Sequence, residues 1–458
     1  MRTLASAANA GTAHFPFVMS TTAIQFTRLH PFAVLPLAFL LLVLSLPAQA
    51  LPTFARQTGD ECSACHVGGF GPQLTPHGMR FKLGGYTGSN GDDRYLLPSM
   101  MVVGSDSRIH TAVDGGSKIK KAVQEASMFL AGRLSDHIGG FTQATTASGV
   151  HGRVSMDNVD MRAVFPFQSG DTDVVLGLSL NNNPTVQDFL NTLPAWRFPF
   201  TTSEMVDAPS VLLDEGLGQQ VVGLTGYAVW DGRYYGEVGG YRALSRSFLD
   251  NVNVDAELKV KGTAPYWRLA YLQDLHSQAW SVGMMALDAR VYPGYQPGPI
   301  DKYRDVGVDA SYQYLGDRTN ILTFNTSYVH ERQTRDGSLA AGDAAERKGR
   351  LDRFDVSGSW YYGETYGLTA SYFDVNGSTD TTLFDSRSGK PDTRGYILQG
   401  DWTPWGKEDS WGAPWANMRL GLQYTRYTKF LGDRTDYDGN GRDASDNDTL
   451  YAFIWMAL

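Results

Sequence analysis

The chain has 458 residues, of which 42% are hydrophobic, 12% aromatic and only 19% charged, with 50 glycines and 23 tyrosines. A net charge of -9 without clustered lysine and arginine excludes a nucleic-acid partner, because phosphate binding needs dense positive charge. Low charge with abundant glycine and aromatic residues suits a membrane β-barrel better than a soluble domain, where about a quarter of residues are charged.

Residues 1–50 read as an export signal. The apolar run Phe32 to Leu46 follows Arg28 and ends in Pro47-Ala48-Gln49-Ala50, a small-residue cleavage pattern that would leave Leu51 as the mature start. The run is shorter than the roughly 20 residues that span a bilayer, which speaks against a transmembrane anchor. A complete signal already begins at Met19, so Met19 is an alternative start.

Residues 51–95 carry the one strong chemical motif, Cys62-Ser63-Ala64-Cys65-His66, which holds both cysteines of the chain. This is the attachment pattern of a c-type haem: two thioether bonds fix the porphyrin and the adjacent imidazole of His66 reaches the iron as proximal ligand. A redox dithiol would need a βαβ setting, and a zinc site would need a second cysteine pair. A segment this short cannot build its own core. The large groups available to cover a porphyrin are Phe54, Phe70, Phe81 and Tyr86, and Arg56, Arg80 and Lys82 could meet its propionates. The sixth iron position has the candidates His77, Met79, Met100, Met101 and His110, with Met100 and Met101 favoured because the haem segment meets the rest of the chain just there.

From residue 96 to 458 the pattern is period two throughout. Val306, Val308, Ala310, Tyr312 and Tyr314 oppose Asp305, Gly307, Asp309, Ser311 and Gln313; Val159, Met161, Ala163 and Phe165 oppose Asn158, Asp160 and Arg162; Met418, Leu420, Leu422 and Tyr424 oppose Arg419, Gly421, Gln423 and Thr425. One face suits lipid and the other a wet interior. Strand starts fall near 98, 122, 138, 155, 172, 219, 233, 264, 279, 303, 319, 351, 364, 394, 415 and 447. That makes about sixteen strands of an all-β, antiparallel transmembrane barrel, an even number as such barrels require. Short joints at Ser135-Asp136-His137, Asp231-Gly232, Gly316-Asp317 and Gly363-Glu364 alternate with long loops at 183–218, 245–263, 333–350, 376–393 and 429–446. Short turns are then periplasmic and long loops extracellular. The aromatic-rich run Leu450 to Leu458 ends flush with the chain, where an outer-membrane insertion signal would sit. A barrel this wide leaves a channel unless something fills it, and the haem segment is the expected plug.

With these residues laid out, the chain from Leu51 to Leu458 resembles the fused outer-membrane cytochrome-porins of iron-oxidising bacteria. The likeness rests on Phe54-Ala55-Arg56-Gln57-Thr58-Gly59, on Arg80-Phe81-Lys82-Leu83-Gly84-Gly85-Tyr86-Thr87, on Asp157-Asn158-Val159-Asp160, and most on Leu180-Asn181-Asn182-Asn183-Pro184-Thr185-Val186-Gln187-Asp188 with Pro194-Ala195-Trp196. His77 stands where Phe is common, Met79 where Arg is common, and Gly68-Gly69 alters the residues after the haem ligand. The resemblance implies an oxidoreductase in the electron-transfer sense, taking electrons from an extracellular donor such as Fe(II) through one haem to a soluble periplasmic c-type cytochrome. Two other readings stay open: a solute porin whose haem segment gates or senses redox state, and a conduit that delivers electrons outward.

Two further features carry less. Asp436, Asp438 and Asn440 begin a cation-loop pattern whose twelfth position holds Asn447 in place of the expected Glu. The inward residues Glu125, Arg133, Asp160 and Arg162 either set a field in the lumen or bond to the plug. No Ser/His/Asp constellation, nucleophile elbow or phosphate loop is present.

Overall fold

The computed structural model describes residues 53–91, 96–113, 115–147, 153–407, 409–413 and 415–458; the export segment expected over 1–50 lies outside them. The alternation noted above folds into seventeen strands: β1 Leu97–Ile109, β2 Ile119–Arg133, β3 Ile138–Thr146, β4 Ser155–Ser169, β5 Thr172–Asn181, β6 Val221–Trp230, β7 Tyr234–Ala243, β8 Leu258–Val260, β9 Ala264–Asp274, β10 Gln278–Pro293, β11 Asp301–Tyr314, β12 Asn320–Arg335, β13 Lys348–Tyr362, β14 Tyr366–Gly377, β15 Thr393–Trp402, β16 Asn417–Lys429 and β17 Thr449–Ala457. Sixteen of them form the ring and start within three residues of the expected positions. The extra one, the three-residue β8, lies against β10 while β7 pairs directly with β9. Every neighbouring pair is antiparallel, and β17 returns to β1 in the register Met101↔Ala457 to Ile109↔Thr449, so the sheet has no free edge.

The two faces separate as period two demands. On β11, Val306, Val308, Tyr312 and Tyr314 are exposed on the outside, while Asp305, Asp309, Ser311 and Gln313 are buried within. Phe165 and Leu422 face out; Asp160, Arg162, Arg419 and Gln423 face in. An apolar exterior around a polar interior is stable where the outside meets hydrocarbon and every backbone group is paired within the ring.

The lumen is filled from both ends. The segment 53–91 lies at the short-turn end: Arg318 Nη1 donates to Ser63 O at 2.8 Å, Asn417 Nδ2 to Gly69 O at 2.7 Å, and Arg80 pairs with Asp274 at 2.5 Å. From the opposite end comes the β5–β6 connection. It was expected outside with the other long loops, and the structure corrects this: Val186, Phe189, Leu190, Leu193, Leu213 and Leu217 are buried in the barrel. Apolar groups at that density do not stay in water, and the walls satisfy the loop backbone, Leu212 N donating to Glu331 and Leu213 N to Asp305 at 2.6 and 2.8 Å.

Candidate cofactor site at the short-turn mouth

Three short helices shape the segment: α1 Thr53–Thr58, α2 Cys62–Cys65 and α3 Pro76–Leu83. The single turn of α2 closes through His66 N donating to Cys62 O at 2.8 Å, after which His66 leaves in extended backbone. The chain then reverses and starts α3 with Thr75 as N-cap and Pro76 in the first turn. Thr75 Oγ1 donates to Ala64 O at 2.5 Å, and a Cβ on Gly78 would stand 2.4 Å from Cys65 O, so only glycine lets α3 lie directly on the motif.

His66 is half-buried, and its Nδ1 is closed off from solvent with no side-chain hydrogen bond. Burial lowers its pKa to about 4, opposed by the Gly71 backbone and reinforced by the Arg419 charge, so the ring is a neutral base with a lone pair to offer. Cys62 and Cys65 are not joined. Burial pushes Cys65 up to about 12, with Asp60 and Cys62 adding and Arg318 opposing, and burial raises Cys62 too. A nucleophilic dithiol needs the reverse shift.

Both cysteines and His66 wall one cavity of about 240 Å³ that opens to the outside. Phe54, Phe70, Phe81 and Tyr86 all line it, with Phe54 stacked on Tyr86 at 5.3 Å and Phe70 edge-on to Trp455 at 5.1 Å. The walls add Met101, Trp455 and Asn417, and the β5–β6 loop adds Asn191 and Trp196. Sequence reasoning missed Asn417, Asn191 and Trp455 as parts of this site, since each arrives from hundreds of residues or several strands away; Trp196 was visible only within the resemblance. A neutral imidazole in the cavity wall, two adjacent thiols and an apolar, aromatic hollow fit the chemistry of a covalently held porphyrin.

The remaining candidates separate. Met101 faces the cavity, whereas its neighbour Met100 is on the outer face, 51% exposed. Met79 is buried among Leu74, Leu83, Val164 and Phe189, outside the cavity lining. His77 is exposed and its Nε2 meets Asp60 at 2.9 Å, where Asp60, Cys65 and His77 bring donor atoms within 4.8 Å of one another. His110 stands at the far end of β1 beside Asp446 at 3.4 Å. Of the three basic residues, Arg80 is taken by Asp274 and Arg56 donates to Pro98 O at 3.1 Å. Lys82 lines the cavity, donates to Val186 O and Asn191 Oδ1 at 2.8 and 2.7 Å, and is lowered to about 7 by burial, with Arg162 adding and Asp160, Asp188 and Glu237 opposing.

Asp160 and Arg162 bond to the plug through Tyr86 and the Lys82 carbonyl. Glu125 accepts from Ser127 and Gln143 within the wall, and the Arg133 backbone N–H donates to Gln57 of the plug at 2.9 Å. The carboxylates of the Asp436, Asp438 and Asn440 loop are taken by protein donors: Asp436 accepts from Gly441 N at 2.6 Å and meets Arg387 at 3.4 Å, Asp438 accepts from Asn440 N and Arg442 N, and Arg442 is bonded to Asn447 and to the Thr111 and Ala112 carbonyls.

A closed ring of sixteen long strands, apolar outside and polar inside, with short turns at one end and long loops at the other, has one setting that satisfies both faces. The chain is a porin-like barrel of the outer membrane. No family model matches it and no curated protein does. Among solved structures it is similar to the outer membrane channel DcaP of Acinetobacter baumannii, at 12% identity over 79% of this chain and 97% of that one with TM-score 0.47. It is also similar to an anion-selective porin from Comamonas acidovorans, at 10% identity over 79% and 98% with TM-score 0.45, and to OmpT of Vibrio cholerae, at 9% over 79% and 97% with TM-score 0.40.

Proposed function

We propose that this barrel carries one haem c, bound through Cys62 and Cys65 with His66 as proximal ligand, and passes single electrons across the outer membrane. The observation that carries the reading is the His66 imidazole, kept neutral by its surroundings, in the wall of an apolar cavity that both motif cysteines also line. When bound there, a haem supplies reversible one-electron iron chemistry. The protein's part is to orient the ligand, exclude water with Phe54, Phe70, Phe81 and Trp455, and offer a sixth donor. Of the methionines named as candidate ligands, Met101 alone lines the cavity, so its thioether would be the donor offered to a bound haem from the wall.

The donor in this reading is extracellular Fe(II) and the acceptor a soluble periplasmic c-type cytochrome, as in the cytochrome-porins the sequence resembles. The position of the motif at the short-turn, periplasmic mouth supports a hand-over on that side. Ferrous iron added without oxygen to the purified holoprotein gives a reduced c-type spectrum; a spectrum that stays oxidised removes iron as donor. A strongly negative midpoint potential would favour the outward conduit.

The second reading, a solute porin gated by the haem segment, draws on the sixteen-strand wall itself, wide enough for an aqueous channel. Liposome swelling separates the two, since a conduit with a filled lumen admits no sugars.

A further inference from the structure

The outer face of the barrel changes character toward the extracellular ends of β10 to β13. On β11 the outward positions from Tyr314 to Val306 are apolar, about 27 Å of strand at ~3.4 Å per residue, enough to cross most of the hydrocarbon at the tilt of such barrels. The next outward residue is Arg304. It stands directly opposite Arg332 of β12, and Arg332 directly opposite Arg350 of β13, so three exposed arginines form one row across three strands. One outward position further from the membrane centre are Arg290, Lys302 and Lys348, with Arg290 opposite Lys302.

Like charges directly opposite on one face repel, and the carboxylates beside this row do not balance it. Asp288 pairs with Arg304 at 2.8 Å. Asp352 meets Arg350 at 3.6 Å and is also engaged by the Tyr328 hydroxyl and His330 Nδ1 at 2.7 and 2.6 Å. Arg332, in the middle, has no carboxylate partner among the described residues; its Nε meets His330 Nε2 at 3.4 Å. Elsewhere around this end of the barrel the outward cations are matched, Arg394 by Asp374 at 3.2 Å and Arg426 by Asp448 at 3.3 Å, while β5 and β6 present Leu180 and Val222.

The row borders a groove of about 400 Å³ on the outer surface. Arg304, His330 and Arg332 line its charged end, and Val306, Val308 and Tyr328 line the rest. Guanidinium forks match phosphate oxygens, and valines match an acyl chain, so the groove as a whole suits an amphiphile with a phosphorylated head. A free anion would use the arginines and leave the apolar wall bare. A second copy of this chain, in a two-fold contact within the same membrane, would set the row against its own like charge.

We propose that the β10 to β13 face binds a phosphorylated glycolipid of the outer leaflet, its phosphates on Arg304, Arg332 and Arg350 and an acyl chain along Val306 and Val308. The lipid supplies the negative charge that the row lacks.

The test is native mass spectrometry of the full, detergent-solubilised protein titrated with lipid A carrying both phosphates and with the same lipid stripped of them. Wild type is compared with R332Q, with the triple variant R304Q/R332Q/R350Q and with R394Q on another face. Wild type binds the phosphorylated lipid in preference, R332Q weakens that binding about tenfold, as expected for one lost charge-assisted contact, the triple variant abolishes the preference, and R394Q behaves as wild type. If the triple variant does not insert, R332Q against R394Q decides. Equal wild-type affinity for both lipids overturns the proposal, as does equal weakening by R332Q and R394Q. Inorganic phosphate that the lipid fails to displace would make the occupant a free anion, and a change in the number of chains per complex in R332Q at unchanged lipid affinity would assign the row to a second copy; either overturns it.

Discussion

The hydroxyl of Tyr86 donates to Asp160 Oδ2 at 2.7 Å, a bond between the N-terminal plug and the barrel wall with both partners buried. Arg162 binds the same carboxylate at 2.8 Å and donates to the Lys82 carbonyl at 3.0 Å, so one wall ion pair holds the plug at two points. Asp160→Ala strands a buried guanidinium and costs about 3–5 kcal/mol; Tyr86→Phe removes one hydrogen bond and costs about 1 kcal/mol. Thermal unfolding in detergent checks the order. Equal effects would mean that the ion pair does not hold the segment.

Met100 and Met101 are adjacent in sequence and opposite in space, one on the outer face and one in the cavity. Met101→Ala should lower the haem midpoint potential and convert the iron to a spectrum lacking methionine ligation, while Met100→Ala leaves both unchanged. A shift in the second variant alone would reverse the assignment.

At the extracellular end Asp380 gathers the backbone N–H groups of Ala345, Glu346, Thr382 and Leu383 at 3.0–3.1 Å and faces Arg335 at 3.1 Å, tying two long loops together. Burial works to raise its pKa, but these donors and the arginine outweigh it and hold the carboxyl below its ordinary value. The unfolded loops therefore bind this proton at higher pH than the folded ones. The stabilisation is complete above the ordinary aspartate value and is lost as pH falls through the folded value. Protease cutting of these loops should rise in that acid window, and Asp380→Asn should cut equally at all pH values.

The β5–β6 loop is held in the lumen by Asp188, which accepts from Leu190, Thr192 and Leu193 backbone N–H groups and pairs with Arg268 at 3.2 Å. Asp188→Ala should destabilise the loop by about 3 kcal/mol or more. In liposome swelling the wild type passes no sugars and the variant leaks. A variant as tight as the wild type would show that the N-terminal plug alone seals the barrel.

The wall was legible because alternation has a period that fixes both strand type and face: Asp305 inside and Val306 outside follow from one another. The fate of the β5–β6 loop was not, because rules of loop length say nothing about a connection that carries its own apolar core in Phe189, Leu190 and Leu193. The motif Cys62 to His66 is local and announces itself. Its surroundings are not local: Asn417 and Trp455 reach it only through closure of the ring, and which of Met100 and Met101 turns inward depends on the register of β1 against β17.

The central claim is a covalent one and intact mass reads it directly. The exported protein is purified from the outer membrane, weighed, and its peptide spanning Cys62 to His66 sequenced by mass spectrometry. The account predicts the chain plus one haem, attached at both Cys62 and Cys65, with neither sulfur open to alkylation. Two freely alkylated thiols, or a divalent metal retained by Asp60, Cys65 and His77 in place of the porphyrin, would contradict it.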